Sequence, residues 1–360
     1  MSCLSSAGRV GVRIEGRGTP IVLLHSSMSS KNQWNELIES LRGSYRLIAI
    51  DLLGYGDSAM SPAAAGYGLD DEVRLVEGVL SRELRPGEQY HLVGHSYGGV
   101  IAMQLAVRAP FGRIRSLSLF EPIAFHLLPP DDPELSLVEE TWHEIEVWLK
   151  AGDAYGGAAR FVDYWSGAGA FAQLRPPRQS VLASLVPKIL LEFRAVANDS
   201  PGVVAYRRIE APTLLIAGQW SPEPAQRLTS ILADILPQAS CVEVAAGHMA
   251  PITHPQLVNP ILEEFIHAVE TGGERKRSRA TLKVTNMIKA IFNPGRLRAA
   301  AFGLLAVTLA MAPLFAAATT RTLKSGPFVS LPANEIHFAN TPDGAVLQII
   351  GTGPFQWELV

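Results

Sequence analysis

YHLVGHSYGGVIAMQLAVRA, residues 90–109, sets a short apolar run against a longer helix-like run, with Gly94-His95-Ser96-Tyr97-Gly98 at the junction. A G-x-S-x-G turn between a strand and a helix holds its serine in a strained backbone conformation with Oγ exposed. Small residues must flank it, and Gly94, Gly98 and Gly99 supply them. The helix that follows presents unpaired N–H groups and the positive end of its dipole, so the Tyr97 amide is the natural first donor to an oxyanion.

Five more runs of the same kind flank it along the chain: PIVLLHS (20–26), YRLIAID (45–51), IRSLSLFEP (114–122), PTLLIAG (212–218) and SCVEVAA (240–246). Continuous apolarity over so few residues marks strands buried on both faces of a parallel sheet. Helix-length segments lie between them, at about 31–42, 70–84, 97–109, 222–236 and 254–270. The pattern is βαβα, and the fold class is α/β with a mostly parallel, doubly wound sheet. About 89 residues separate Pro122 from Pro212, far more than a crossover needs. That stretch carries Trp142, Trp148, Trp165, Tyr164 and Phe161, and it reads as a helical cap inserted over the carboxyl edge of the sheet, where such folds bind ligands.

Net charge is −3 over 360 residues, an average of unlike parts. Residues 1–273 carry −9, 274–298 carry +7 and 299–360 carry −1. The acidic body argues against nucleic acid as a partner. Two cysteines exclude a disulfide scaffold and a cysteine-rich zinc module. There is no Walker-type loop, no strand-turn G-x-G-x-x-G and no cysteine-histidine cluster, so neither a metal nor another cofactor is expected. The organisation expected is a main domain over 1–270, with core 9–122 and 206–270 and cap 123–205, then a basic linker over 271–298. Residues 299–320 run 22 positions without a charge, enough to span roughly 30 Å of bilayer as a helix. With MIKAIFNPGRLR (287–298) before it, the same run also reads as a secretory signal placed mid-chain, as though two coding sequences were joined. The remaining tail, 321–360, ends in a few strand-like pieces of illegible function. With no signal-like run at Met1 to Val12, the main domain is expected in the cytoplasm, with membrane contact through 299–320.

Through LLHSS, DLLGYGDS, GHSYGG and AGHMAPITHP, in that order over residues 9–270, the chain resembles the α/β-hydrolase superfamily, in its capped, esterase-like branch. The resemblance implies a serine hydrolase without a cofactor, acting on a small molecule. Ser96 is its nucleophile and His248, in AGHMAP after the last strand, its general base. The same resemblance assigns the second oxyanion donor to the Ser27 amide, beside that of Tyr97. His25 reads as structural and His254 as a helix-start residue, while the His95 side chain is expected to turn away from the site, on a turn whose next residue is the exposed one. An aspartate at position 96 would have pointed to a dehalogenase or epoxide hydrolase, and Ser96 removes both.

The third member departs from the family. Where an aspartate is usual, three residues beyond Gly218, the chain has Ser221. Glu121, in LFEP (119–122) at the end of the strand-like run before the cap, is the favoured acid, since a carboxylate closing so apolar a run is costly to bury without a partner. Some haloalkane dehalogenases resemble this placement. Glu223 is the alternative acid, and a dyad or a loss of activity is the third outcome. On the first account the protein is a carboxylic ester hydrolase for a small apolar or aromatic substrate. The competing readings are a non-catalytic small-molecule binding protein of the same fold and a membrane-tethered module.

Overall fold

A computed structural model describes residues 9–60, 66–272, 337–340 and 346–349. The expected linker and the 299–320 segment lie outside the described residues; among those described, no helix is long and apolar enough to cross a membrane. The chain divides into two units, Met1–Leu282 and Lys283–Val360. What is described of the second is an antiparallel pair, His337–Asn340 with Val346–Ile349.

The first unit is built on a seven-stranded sheet: β1 (Val12–Gly16), β2 (Thr19–Leu24), β3 (Tyr45–Ile50), β4 (Tyr90–His95), β5 (Ile114–Phe120), β6 (Thr213–Gly218) and β7 (Ala239–Val244), in the order β1-β3-β2-β4-β5-β6-β7. All neighbours are parallel except β1 with β3. The six apolar runs are β2 to β7. β1, VRIEG, is an addition to the expectation: it lies at the edge of the sheet and none of its residues is buried, so it has no continuous apolar run to mark it.

Alternation along each strand feeds two cores. Ile21, Leu23, Val93, Phe120, Leu214 and Ile216 face α1 (Asn35–Leu41) and α11 (Pro255–Glu270). Val22, Leu24, Leu92, Leu117, Leu119 and Leu215 face α2 (Leu69–Glu83), α3 (Tyr97–Arg108) and α9 (Glu223–Ile235). The second core continues into five helices inserted between β5 and β6: α4 (Pro133–Lys150), α5 (Ala154–Ser166), α6 (Pro176–Ser184), α7 (Val186–Asp199) and α8 (Val203–Tyr206). Trp142, Phe161 and Trp165 of the insertion pack with Phe125 and Phe193, whereas Trp148 is exposed.

Strand order reverses between β2 and β4, so the loops leaving their carboxyl ends open a crevice. The approach there is close. A Cβ on Gly98 would lie 2.4 Å from the His25 carbonyl oxygen and 2.6 Å from that of Leu24, and one on Gly94 would lie 2.5 Å from the Gly98 oxygen. Glycine at 98 is a requirement of the first helical turn lying against β2. Alanine would help an isolated helix by about 1 kcal/mol. Here Gly98→Ala is expected to destabilise the protein by about 1–3 kcal/mol through overpacking, read as a lower urea midpoint. An unchanged or raised midpoint would contradict this packing.

Candidate active site

Three non-glycine residues among those described have positive φ: Met28 (56°), Ser96 (56°) and Glu121 (40°). All three stand just past the carboxyl ends of strands, in the loops after β2, β4 and β5. Residues held in sparsely populated backbone regions cost of order 1–3 kcal/mol and cluster where function over-determines geometry. At Ser96 the strain is held by its own amide, which donates to the Phe120 oxygen at 2.9 Å, and by its carbonyl, which accepts from Gly99 and Val100 at 2.9 and 3.2 Å. Tyr97 is the first residue of α3, so its N–H has no partner within the helix.

His248 lies in the loop between β7 and α10 (Ala250–Thr253). Its Nε2 is 2.9 Å from Ser96 Oγ and its Nδ1 2.7 Å from Glu121 Oε2. A carboxylate at Nδ1 selects the tautomer with its proton there, which leaves the Nε2 lone pair facing the serine hydroxyl. Glu121 is fully buried. Its Oε1 accepts from the Gly218 amide at 2.7 Å, and its Oε2 from Ser221 Oγ at 2.8 Å as well as from His248. Ser221, which occupies the place where the family pattern has its acid, therefore donates to the carboxylate that reaches across from β5.

The structure brings Ser96, His248 and Glu121 together. It does not bring Glu223 to them: that residue is exposed in the first turn of α9. Ser27 sits in the loop after β2, and its hydroxyl donates to Glu192 Oε2 of α7 at 2.5 Å. Trp165 lies against the His248 ring with centroids 4.1 Å apart, and Ser96 is only 4% exposed, so the site is closed over by the insertion.

Two contributors escape a reading of the sequence. His95 is expected to turn away from the site, yet its Nε2 is 2.9 Å from the His248 carbonyl oxygen. Burial, with His248 beside it, holds its pKa well below the ordinary histidine value. The ring is neutral and donates from Nε2, fixing the backbone that carries His248. The second is the Lys188–Glu192 pair; its only sequence signal is two charges four residues apart in the apolar run VPKILLEF.

His25 is structural. Its Nδ1 donates to the Ser26 oxygen at 2.7 Å and its Nε2 accepts from the Leu52 amide at 3.0 Å, a pattern only the neutral ring can make. Asp51 accepts from the Lys31 amide and ammonium, both at 2.6 Å, and from the Asp57 amide at 2.8 Å, which ties Asp57 and the DLLGYGDS loop to the sheet edge.

The model of the alpha/beta hydrolase family matches residues 21–261. The chain is 33% identical over 133 residues to the probable lysophospholipase BODYGUARD 1 of Arabidopsis thaliana, a match over 36% of this chain and 28% of that protein. It is 36% identical over 109 residues to a haloalkane dehalogenase of Agrobacterium fabrum, over 30% and 34% of the two chains. The chain thus spans about a third or less of the length of these curated relatives. Among solved structures, that of a hydrolase from Pseudomonas aeruginosa PA01 superposes with a TM-score of 0.59 at 25% identity, covering 71% of this chain and 94% of that one.

The buried His25 and the half-buried His126 give the fold a pH dependence. Burial lowers His25 and His126 from 6.5 to about 4. Between those values the unfolded chain binds protons that the folded chain does not, so stability is full above about pH 6.5 and falls toward pH 4. His25 alone accounts for as much as about 3 kcal/mol of that loss. Urea unfolding from pH 7 to 4.5 should show a falling midpoint, with a shallower fall in His126→Gln. A parallel fall in wild type and variant would contradict the assignment.

Proposed function

The chain belongs to the alpha/beta hydrolase family, and on that premise we propose that it is a serine hydrolase which cleaves a small apolar or aromatic carboxylic ester through an acyl-enzyme. The observation that carries the reading is the unbroken hydrogen-bonded line from Ser96 Oγ through both nitrogens of His248 to the Glu121 carboxylate.

In this reading the Ser96 oxygen attacks the ester carbonyl carbon while its proton passes to His248 Nε2. The imidazolium so formed lies 2.7 Å from Glu121, which stabilises its charge and holds the ring in place. The carbonyl oxygen, now negative, accepts from the amides of Tyr97 and Ser27. Collapse of the tetrahedral intermediate breaks the bond to the alcohol oxygen, which leaves with the proton from His248. Water then attacks the acyl group by the same route in reverse roles, releasing the carboxylic acid and restoring the Ser96 hydroxyl.

The lysophospholipase and the dehalogenase differ in the bond their names imply, so the substrate class is argued from this chain's own walls. Serine at position 96 favours acyl transfer. The inserted helices act as the cap, and their aromatic residues favour an apolar group: Trp165 lies on the base, with Phe125 stacked against it at 6.5 Å between centroids.

A fluorophosphonate probe should label the wild-type protein on Ser96, located by mass spectrometry of the adduct peptide. Glu121→Gln should lower turnover of p-nitrophenyl butyrate by about 10³–10⁴-fold, the scale seen when the acid of a serine triad is replaced by its amide. Glu223→Gln should stay within about twofold of wild type. Equal small effects from the two variants would overturn the place given to Glu121.

A further inference from the structure

Beside the line through His248 lies a second buried polar cluster that takes no part in proton transfer. Lys188 and Glu192 of α7 and Glu72 of α2 are almost completely buried. Lys188 Nζ donates to Tyr67 Oη at 2.6 Å, Glu72 Oε1 at 2.8 Å and Glu192 Oε1 at 3.0 Å. Those three bonds use every N–H of the ammonium, so Lys188 has nothing left to offer a ligand. Glu72 is held in turn by the Leu53 amide at 3.0 Å and by the Tyr67 hydroxyl at 2.7 Å.

What this cluster reaches gives it meaning. Glu192 Oε2 accepts from Ser27 Oγ at 2.5 Å, and Tyr67 Oη lies 2.5 Å from Tyr97 Oη. Tyr67 already donates to Glu72, so the Tyr97 hydroxyl is the donor in that second contact. The side chains anchored here belong to Ser27 and Tyr97, the two residues whose amides are assigned to the oxyanion.

Two carboxylates and one ammonium are an expensive way to fill an interior. Apolar residues of similar volume often stabilise a fold as well or better. Burial raises the Glu192 carboxyl despite Lys188 and Ser27 beside it, a sign of that cost.

Resting on the serine-hydrolase reading above, we infer that Lys188 and Glu192 are positioning residues for the oxyanion hole. Glu192 holds the Ser27 loop, while Lys188 holds Tyr97 through Tyr67, so seating of the inserted helix α7 sets both amides. Neither residue touches the substrate. A change here should therefore alter stabilisation of the tetrahedral state more than binding of the ester.

The test uses p-nitrophenyl butyrate turnover and the rate of fluorophosphonate labelling of Ser96. Ser27→Ala and Glu192→Leu should each lower kcat by about tenfold with KM within about twofold, because a donor displaced by a fraction of an ångström costs rate before affinity. Labelling should slow in parallel, and the double variant should be no slower than the worse single one. Glu192→Gln keeps its one carbonyl oxygen for the Lys188 ammonium and turns its amide N–H to the Ser27 hydroxyl, which can accept as well as donate, so the tie to Ser27 survives and most of the rate should be recovered. Wild-type kcat in Ser27→Ala, or independent multiplying effects of the two changes, would overturn the inference. If Glu192→Leu does not fold, Ser27→Ala and Glu192→Gln decide it. Absence of any Ser96 adduct in the wild type would instead overturn the serine-hydrolase reading, so the two failures are distinct.

Discussion

The arrangement at the carboxyl edge of the sheet depends on one buried carboxylate. Glu121 is removed from water just past the end of β5, directly after the buried Leu119 and Phe120, a placement that would cost several kcal/mol if the charge were uncompensated. Three donors compensate it, and each comes from a different place: the Gly218 amide at the end of β6, the Ser221 hydroxyl in the loop beyond, and His248 Nδ1 after β7. The charge therefore ties three strand ends together and orients the imidazole as a by-product of its own solvation. The positive φ of Glu121 is part of the same arrangement, turning its side chain toward those donors.

A second constraint acts at Ser96. The strand-to-helix turn is tight enough that β2, β4 and α3 approach with no room for a side chain at Gly94 or Gly98. This crowding places the first amides of α3 beside the loop after β2. The turn at Ser96 and the carboxylate at Glu121 are neighbours on adjacent parallel strands, with His95 paired in register to Phe120. The register of β4 and β5 thus sets the distance that His248 has to bridge.

Legibility in the sequence followed the range of the interactions. Strands β2 to β6 could be read because burial on both faces demands continuous apolar runs, and the edge strand β7 because SCVEVAA still carries a run, whereas the other edge strand, β1, was missed because no residue of it is buried and VRIEG has no apolar run. The turn at Ser96 was legible because its glycines are local requirements. Glu121 could be singled out from the cost of a charge ending LSLF, and its neighbourhood to His248 is a contact across 127 residues that no local pattern states. Ser221 was legible only as a departure; its role as a donor needs the carboxylate from β5 to be in place first. His95 was read as turned away, since nothing in GHSYG tells that a carbonyl 153 residues later would lie within its reach. The Lys188 cluster was missed for the same reason, because its partners on α2 and in the Ser27 loop come from distant parts of the chain.

Glu121, 2.7 Å from Nδ1, holds His248 in the tautomer that leaves Nε2 free to accept from Ser96. Proton and nitrogen NMR of the resting protein with labelled histidine measures this directly. A strongly downfield, exchange-protected proton on His248 Nδ1 is expected, which persists in Glu223→Gln and is lost in Glu121→Gln. A His248 protonated on Nε2 at neutral pH, or a downfield signal unaffected by Glu121→Gln, would contradict it.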